Sequence, residues 1–137
     1  MTAAVLAWAL TQLEHGVRVV LASVVTSSGS VPGKTGARLA MRSGDEHWVG
    51  TVGGAGLEMM ILNECKSMLE QHARPAGKVL TYGLNKGAKG YEVTALDSLC
   101  GGRVTLSLEV LIPMPHVLLI GGGHCAQAIA PALDALG

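Results

Sequence analysis

Glycine clustering constrains this chain more than any other feature. Twelve of its 19 glycines fall into four groups: Gly29, Gly33 and Gly36; Gly50, Gly53, Gly54 and Gly56; Gly101 and Gly102; Gly121, Gly122 and Gly123. Glycine makes up about 14% of the 137 residues, twice its usual share of about 7%. Lacking a Cβ, glycine takes up positive φ and lets backbones approach closely, so each group marks a turn. The irregular spacing excludes a collagen repeat. What lies between the turns must supply the core, and 49% of the chain is hydrophobic while 15% is charged. Such a chain has ample surface to bury and is not disordered. Its length suits one domain with a single core. Ten basic and ten acidic residues give a formal net charge of zero, which excludes binding driven by overall charge, so no nucleic-acid or membrane partner is expected.

The intervening segments alternate between helix and strand. Met1 to Leu13 lacks the charged start of a secretory signal and reads better as an amphipathic helix. Leu6, Leu10, Leu13 and Val17 fall at helical spacing, with Gly16 as the stop. Val17 to Val25 is β-branched and nearly all apolar, the pattern of a strand buried on both faces. Ala37 to Met41 and His47 to Val52 predict strands around the turn Arg42-Ser43-Gly44-Asp45. After Gly56, the residues Leu57, Met60, Ile61, Cys65, Met68, Leu69 and His72 share one helical face, and Arg74-Pro75 ends the helix. Lys78 to Tyr82 predicts another strand, and Leu84 to Thr94 a mobile surface loop. Arg103 to Glu109 alternates, with Val104, Leu106 and Leu108 on one face, so it predicts a half-buried strand. Pro113-Met114-Pro115 reads as a linker. Val117 to Ile120 then predicts a short buried strand, followed by a glycine turn and an alanine-rich helix.

The expected fold class is therefore α/β: a mixed sheet with flanking helices, followed by the first strand-turn-helix of a truncated Rossmann-like domain. The expected division is 1–112, a linker at 113–116, and 117–137. The uncharged run from Val110 to Leu133 is broken by prolines, glycines and histidines and does not predict a membrane span. Cys65, Cys100 and Cys125 form no CxxC pair, so neither disulfides nor a metal cage is expected, and a cytoplasmic location follows.

Each glycine group admits a functional and an ordinary reading. Gly29-Ser30-Val31-Pro32-Gly33-Lys34-Thr35 has three residues where a phosphate-binding P-loop needs four, and a turn and strand follow where a helix is required. Lys34 and Arg38 remain as point charges for an anionic ligand. Gly50-Thr51-Val52-Gly53-Gly54-Ala55-Gly56-Leu57-Glu58 is a strand, glycine loop and helix start. Its helix-start amides at Gly53, Gly54 and Gly56 could take a phosphate, or the loop could be a plain turn with Glu58 complementing the helix dipole. Cys100 beside Gly101 and Gly102 is either a sulfur on accessible backbone or an inert filler. Gly121-Gly122-Gly123-His124-Cys125-Ala126 fits G-x-G-x-x-A, with Gly121 and Gly123 as its first two glycines. The acid expected about 20 residues further on falls at or beyond residue 137, so NAD(P) binding is expected only if the Rossmann-like domain is completed. No histidine spacing, nucleophile elbow or carboxylate pair supplies a catalytic constellation, so no catalytic or metal-ligating residue is assigned.

Taken in order, Gly29-Ser30-Val31-Pro32 with Gly36-Ala37-Arg38, then Gly50 to Glu58, then Cys100-Gly101-Gly102 opening a strand, and finally Val117 to Ala126, the chain resembles the XdhC/CoxI family. It departs from the family pattern in placing Gly33 between Pro32 and Lys34. The resemblance implies an accessory protein for molybdenum hydroxylases such as xanthine dehydrogenase and carbon monoxide dehydrogenase. Such a protein binds the molybdenum cofactor (molybdopterin), protects it while sulfur is added, and helps insert it into the target. It is a maturation factor without its own turnover rather than an enzyme. The implied partners are a molybdenum hydroxylase, a sulfur donor and a second copy of the chain. The implied cofactor-binding residues are Lys34, Arg38, Gly53, Gly54, Gly56, Glu58, Cys100, Gly101, Gly102, Gly121 and Gly123, with Cys100 nearest the metal. The alternatives are an NAD(P)-binding oxidoreductase or subunit, and a non-catalytic interaction domain.

Overall fold

A computed structural model describes residues 2–31, 33–83, 93–95 and 102–136. The elements are α1 (Thr2–Glu14), β1 (Val19–Ser28), β2 (Arg38–Arg42), β3 (Trp48–Gly50), α2 (Ala55–Gln71), β4 (Ala76–Gly83), β5 (Val93–Ala95), β6 (Arg103–Leu111) and α3 (His124–Asp134). The six strands form one sheet in the order β3-β2-β1-β6-β4-β5. Neighbours are antiparallel except β4 and β5, which are parallel. The mixed α/β class is the one the residue pattern predicts. Val93 and Thr94 belong to β5 rather than to a loop, while residues 84–92 of the expected loop lie outside the described residues.

The period of two in the strands decides which residues face which helix. Val20, Ala22 and Val24 of β1, Leu39 and Met41 of β2, and Val104, Leu106, Leu108 and Val110 of β6 form the main core with α2. That helix contributes Leu57, Ile61, Cys65, Met68 and Leu69, the face its periodicity predicts. His72 does not share the face; it is the exposed C-cap, its N–H donating to the Met68 carbonyl. The guanidinium of Arg18 donates to the carbonyls of Leu69, at 3.0 Å, and His72, at 2.5 Å. A cation thereby meets the negative end of the α2 dipole and its orphan carbonyls.

The opposite sheet face is half covered. Helix α1 packs there on Val19 and Ala40, with Leu21 and Val49 alongside. It does so through Val5 and Ala9, with Trp8 and Leu13 alongside; Leu13 of the expected stripe packs here, whereas Leu6 and Leu10 stay exposed, which corrects those two positions. The reason is steric. Short side chains at Val5 and Ala9 let the helix axis approach Ala40 of β2, and Leu6 and Leu10, each one residue further round, point away. A register shift in β1 between Val24 and Thr26 leaves Val25 exposed as well.

The last segment also corrects an expectation. Val117 to Ile120 is not a strand, and it is exposed, Ile120 to 92%. Apolar composition does not make a strand without a neighbour to satisfy its N–H and C=O groups, and none of the described strands lies beside it. Helix α3 follows with Gly123 as its N-cap and buries no residue.

Candidate functional site

Two of the four glycine groups, and Gly102 of a third, meet at one end of the sheet. There β1 finishes at Ser28, β4 finishes at Gly83 and β6 begins at Arg103, all in register. The β1–β2 connection folds back through Gly36, whose N–H donates to the Val24 carbonyl at 2.9 Å, and through Ala37, whose N–H reaches the Lys34 carbonyl at 2.9 Å. The hydroxyls of Ser27 and Thr35 pair at 3.3 Å across its neck. Gly33 lets this loop touch the next one: a methyl group there would strike the Val52 carbonyl oxygen. Gly102, at φ +130°, does the same for the third, since a methyl group would strike the Ser28 carbonyl and lie 2.8 Å from Val31 Cγ1. Internal backbone contact therefore accounts for Gly33 and Gly102.

Gly56 differs. It lies in the first turn of α2, is exposed, and has open space where a side chain would be. No contact within the described residues requires glycine there, although glycine in a helix costs roughly 0.5–1 kcal/mol relative to alanine. The start of α2 is thus left open to the outside.

The helix begins after Gly54, an N-cap with no side-chain cap bond. Gly53, at φ +133°, turns the chain into it. The Gly53 N–H donates to Thr51 Oγ1 at 3.2 Å, and the Thr51 hydroxyl donates to the Glu58 carboxylate. Glu58 thereby places a negative charge beside the start of its own helix, where the dipole favours one. Two unit charges about 5 Å apart repel by roughly 3 kcal/mol at an effective dielectric near 20. A phosphate is therefore opposed close to Glu58, and the plain-turn reading of that residue has a physical basis. Sequence reasoning passed over Thr51; a hydroxyl two residues before a glycine and seven before an acid was the available signal.

The remaining expected residues divide as follows. Lys34 is exposed on the first loop. Arg38 shares the α1 face with Ala40, and its Nε donates to Ser23 Oγ at 3.2 Å. Its side chain lies on the face opposite α2, while its carbonyl accepts from the Thr51 N–H at 3.0 Å. Cys100 and Gly101 lie outside the described residues. Gly121 and Gly123 follow β6, which runs from this end at Arg103 to Leu111, beside Val19 at the other end. The structure does not bring them to the other three groups, and methyl groups at Gly121, Gly122 and Gly123 would meet nothing. Cys65 is core: burial, with the Glu64 charge second, pushes its thiol up to about 12. Among the described residues no group of three or more His, Cys, Asp or Glu could hold a metal ion, and no helix is long and apolar enough to cross a membrane.

A family model described as the XdhC and CoxI family matches residues 12–83, from the end of α1 through both glycine loops to the end of β4. The chain belongs to this family. It is 32% identical over 123 residues to the uncharacterised protein YqeB of Escherichia coli, covering 85% of this chain and 20% of that protein. It thus spans about a fifth of the length of the curated relative it matches. A crystal structure of a protein described as a xanthine dehydrogenase from Bacillus halodurans superposes with a TM-score of 0.57 at 18% identity. That likeness covers 95% of this chain and 34% of the other, and it shows a shared fold. Membership in the XdhC and CoxI family draws on the region that builds the glycine end of the sheet.

Proposed function

We propose that this chain is a molybdenum hydroxylase accessory protein that binds the molybdenum cofactor at the glycine end of its sheet. It protects the cofactor while sulfur is added, and assists insertion into a hydroxylase of the xanthine dehydrogenase or carbon monoxide dehydrogenase type. The observation that carries this reading is the meeting of two glycine turns and Gly102 of a third, from separate parts of the sequence, around the open start of α2. The donor set fits the group. Lys34 offers a cation for the phosphate, the amides after Gly54 are unobstructed, and Glu58 offers an acceptor. Lys34, Gly53, Gly54, Gly56, Glu58 and Gly102 are the described residues assigned to binding, and Cys100 and Gly101 complete the assignment. When bound, the cofactor would supply the metal and its labile sulfur; the chain's own part is to hold the pterin and limit access by water.

In this reading residues 1–112 are the binding unit, 113–116 the linker and 117–137 the start of a Rossmann-like unit, where NAD(P) would bind only if that unit is completed. The sulfur donor and target bind the assembled protein, which works as an oligomer without its own turnover. The test is to purify the chain from cells making molybdenum cofactor and measure pterin fluorescence after oxidation. Bound pterin is expected. A chain that carries none and takes up none when supplied with the cofactor overturns the proposal. A Cys100→Ser variant with undiminished binding and target activation removes Cys100 from the site.

A further inference from the structure

We infer that Glu58 reads the N–H edge of the cofactor's pterin ring, and that the phosphate lies toward Lys34 instead of at the start of α2. The inference rests on the cofactor-binding reading above and fixes the orientation of the ligand within it. A 2-amino-4-oxopteridine presents an exocyclic amine beside a ring N–H, two parallel donors that match a carboxylate as a guanidinium does. An ionised carboxylate has about four lone-pair directions. The Thr51 hydroxyl uses one on Oε2 and anchors the group against the loop, leaving Oε1 able to accept. The anchor is itself held by the Gly53 N–H. Glu58 is half-buried in the first turns of α2.

Phosphate meets the opposite circumstances. Glu58 already answers the α2 dipole, so a second anion there is repelled. Lys34 is exposed on the adjoining loop, which Gly33 brings into backbone contact with Val52. An elongated ligand with donors at one end and a phosphate at the other would lie across this junction, between the second loop and the first.

Two probes separate the ends: a phosphate-free 2-amino-4-oxopteridine, followed by its fluorescence, and inorganic pyrophosphate, followed by calorimetry. The wild-type chain is expected to bind the pteridine saturably. Glu58→Gln replaces an acceptor with an amide that opposes donor to donor, and should weaken pteridine binding by about tenfold or more while leaving pyrophosphate binding equal or tighter. Lys34→Ala should show the reverse pattern. Thr51→Val, which releases the carboxylate from its anchor, should weaken the pteridine by a few fold and serves as the second variant should Glu58→Gln fail to fold. Unchanged pteridine binding in Glu58→Gln, or in Thr51→Val if that variant must stand in, overturns the inference, as does loss of pyrophosphate binding in Glu58→Gln. Wild-type chain that carries cofactor from cells yet ignores the free pteridine overturns the orientation and leaves the proposed function standing. Wild-type chain that carries no cofactor overturns both.

Discussion

Strand β6 and the run Val117–Ile120 are both rich in valine and leucine, yet their fates differ. Val104, Leu106 and Leu108 are fully buried, whereas Leu118 is 83% exposed. Alternation is part of the difference. In β6 it sends the apolar residues to α2 and leaves Thr105 and Ser107 on the other face, where the Thr105 hydroxyl meets that of Thr81 at 3.0 Å. The larger part is backbone pairing. Strand β6 lies between β1 and β4, so both its edges are satisfied, whereas Val117–Ile120 has no described strand beside it. Side-chain hydrophobicity selects a face; a neighbouring backbone makes the strand.

The sharpest way to break this comparison is to remove apolar side chains from both regions. Ile61 of α2 is fully buried against the sheet, and Ile61→Ala is expected to cost about 2–5 kcal/mol in urea unfolding. Leu118→Ser should stay within about 0.5 kcal/mol, as exposed substitutions do. A Leu118→Ser loss of comparable size would mean that the final segment packs on the domain in solution.

Glycine gives a finer version of the same contrast. Gly33 has no positive φ to maintain, but a methyl group there would strike the Val52 carbonyl. Gly123 has φ −71° and open space around it. Gly33→Ala is therefore expected to lower stability by about 1–3 kcal/mol through overpacking, and Gly123→Ala to leave it nearly unchanged. Thermal melts of the two variants decide the matter. Equal destabilisation would show that the glycine turn before α3 is as tightly enclosed as the first loop.

Much of this was legible in the residues, though unevenly. The apolar face of α2 and the alternation of β6 are periodic, local signals, and both matched the packing. In helix α1 the expected Leu13 packs, but Leu6 and Leu10 do not, because they lie about 100° round the axis from Val5 and Ala9, and the deciding factor is distant: the small Ala40 on β2. The glycine groups were visible as turns, but their meeting place depends on strand order, which no local pattern encodes. Arg38 fell on the other face for the same reason: strand pairing sets it opposite Ser23. Thr51 was missed because its role comes from two partners, one of them in the next helix.

The two described cysteines turn the regional contrast into a pH experiment. Cys65 is enclosed in the core and Cys125 is exposed on α3. Burial raises the Cys65 thiol from an ordinary 9.0 to about 12, and it raises Tyr82 from 10.0 to about 12 as well, with Glu64 adding to both. Above pH 9 the unfolded Cys65 thiol ionises while the folded one keeps its proton. The native state then binds more protons, so stability is at its full value below pH 9 and falls as pH rises toward 12. The slope from one such group is about 1.4 kcal/mol per pH unit, so a loss near that size is expected between pH 9 and 10. Cys65→Ala should be less stable at neutral pH, yet it should lose less on going alkaline, the remaining slope above pH 10 belonging to Tyr82. Cys125→Ala should reproduce the wild-type slope. Urea midpoints taken from pH 7 to 10.5 distinguish these outcomes. A slope that survives Cys65→Ala intact would mean that the buried thiol is not what the native state protects from ionisation, and that alkaline sensitivity arises outside the α2 core.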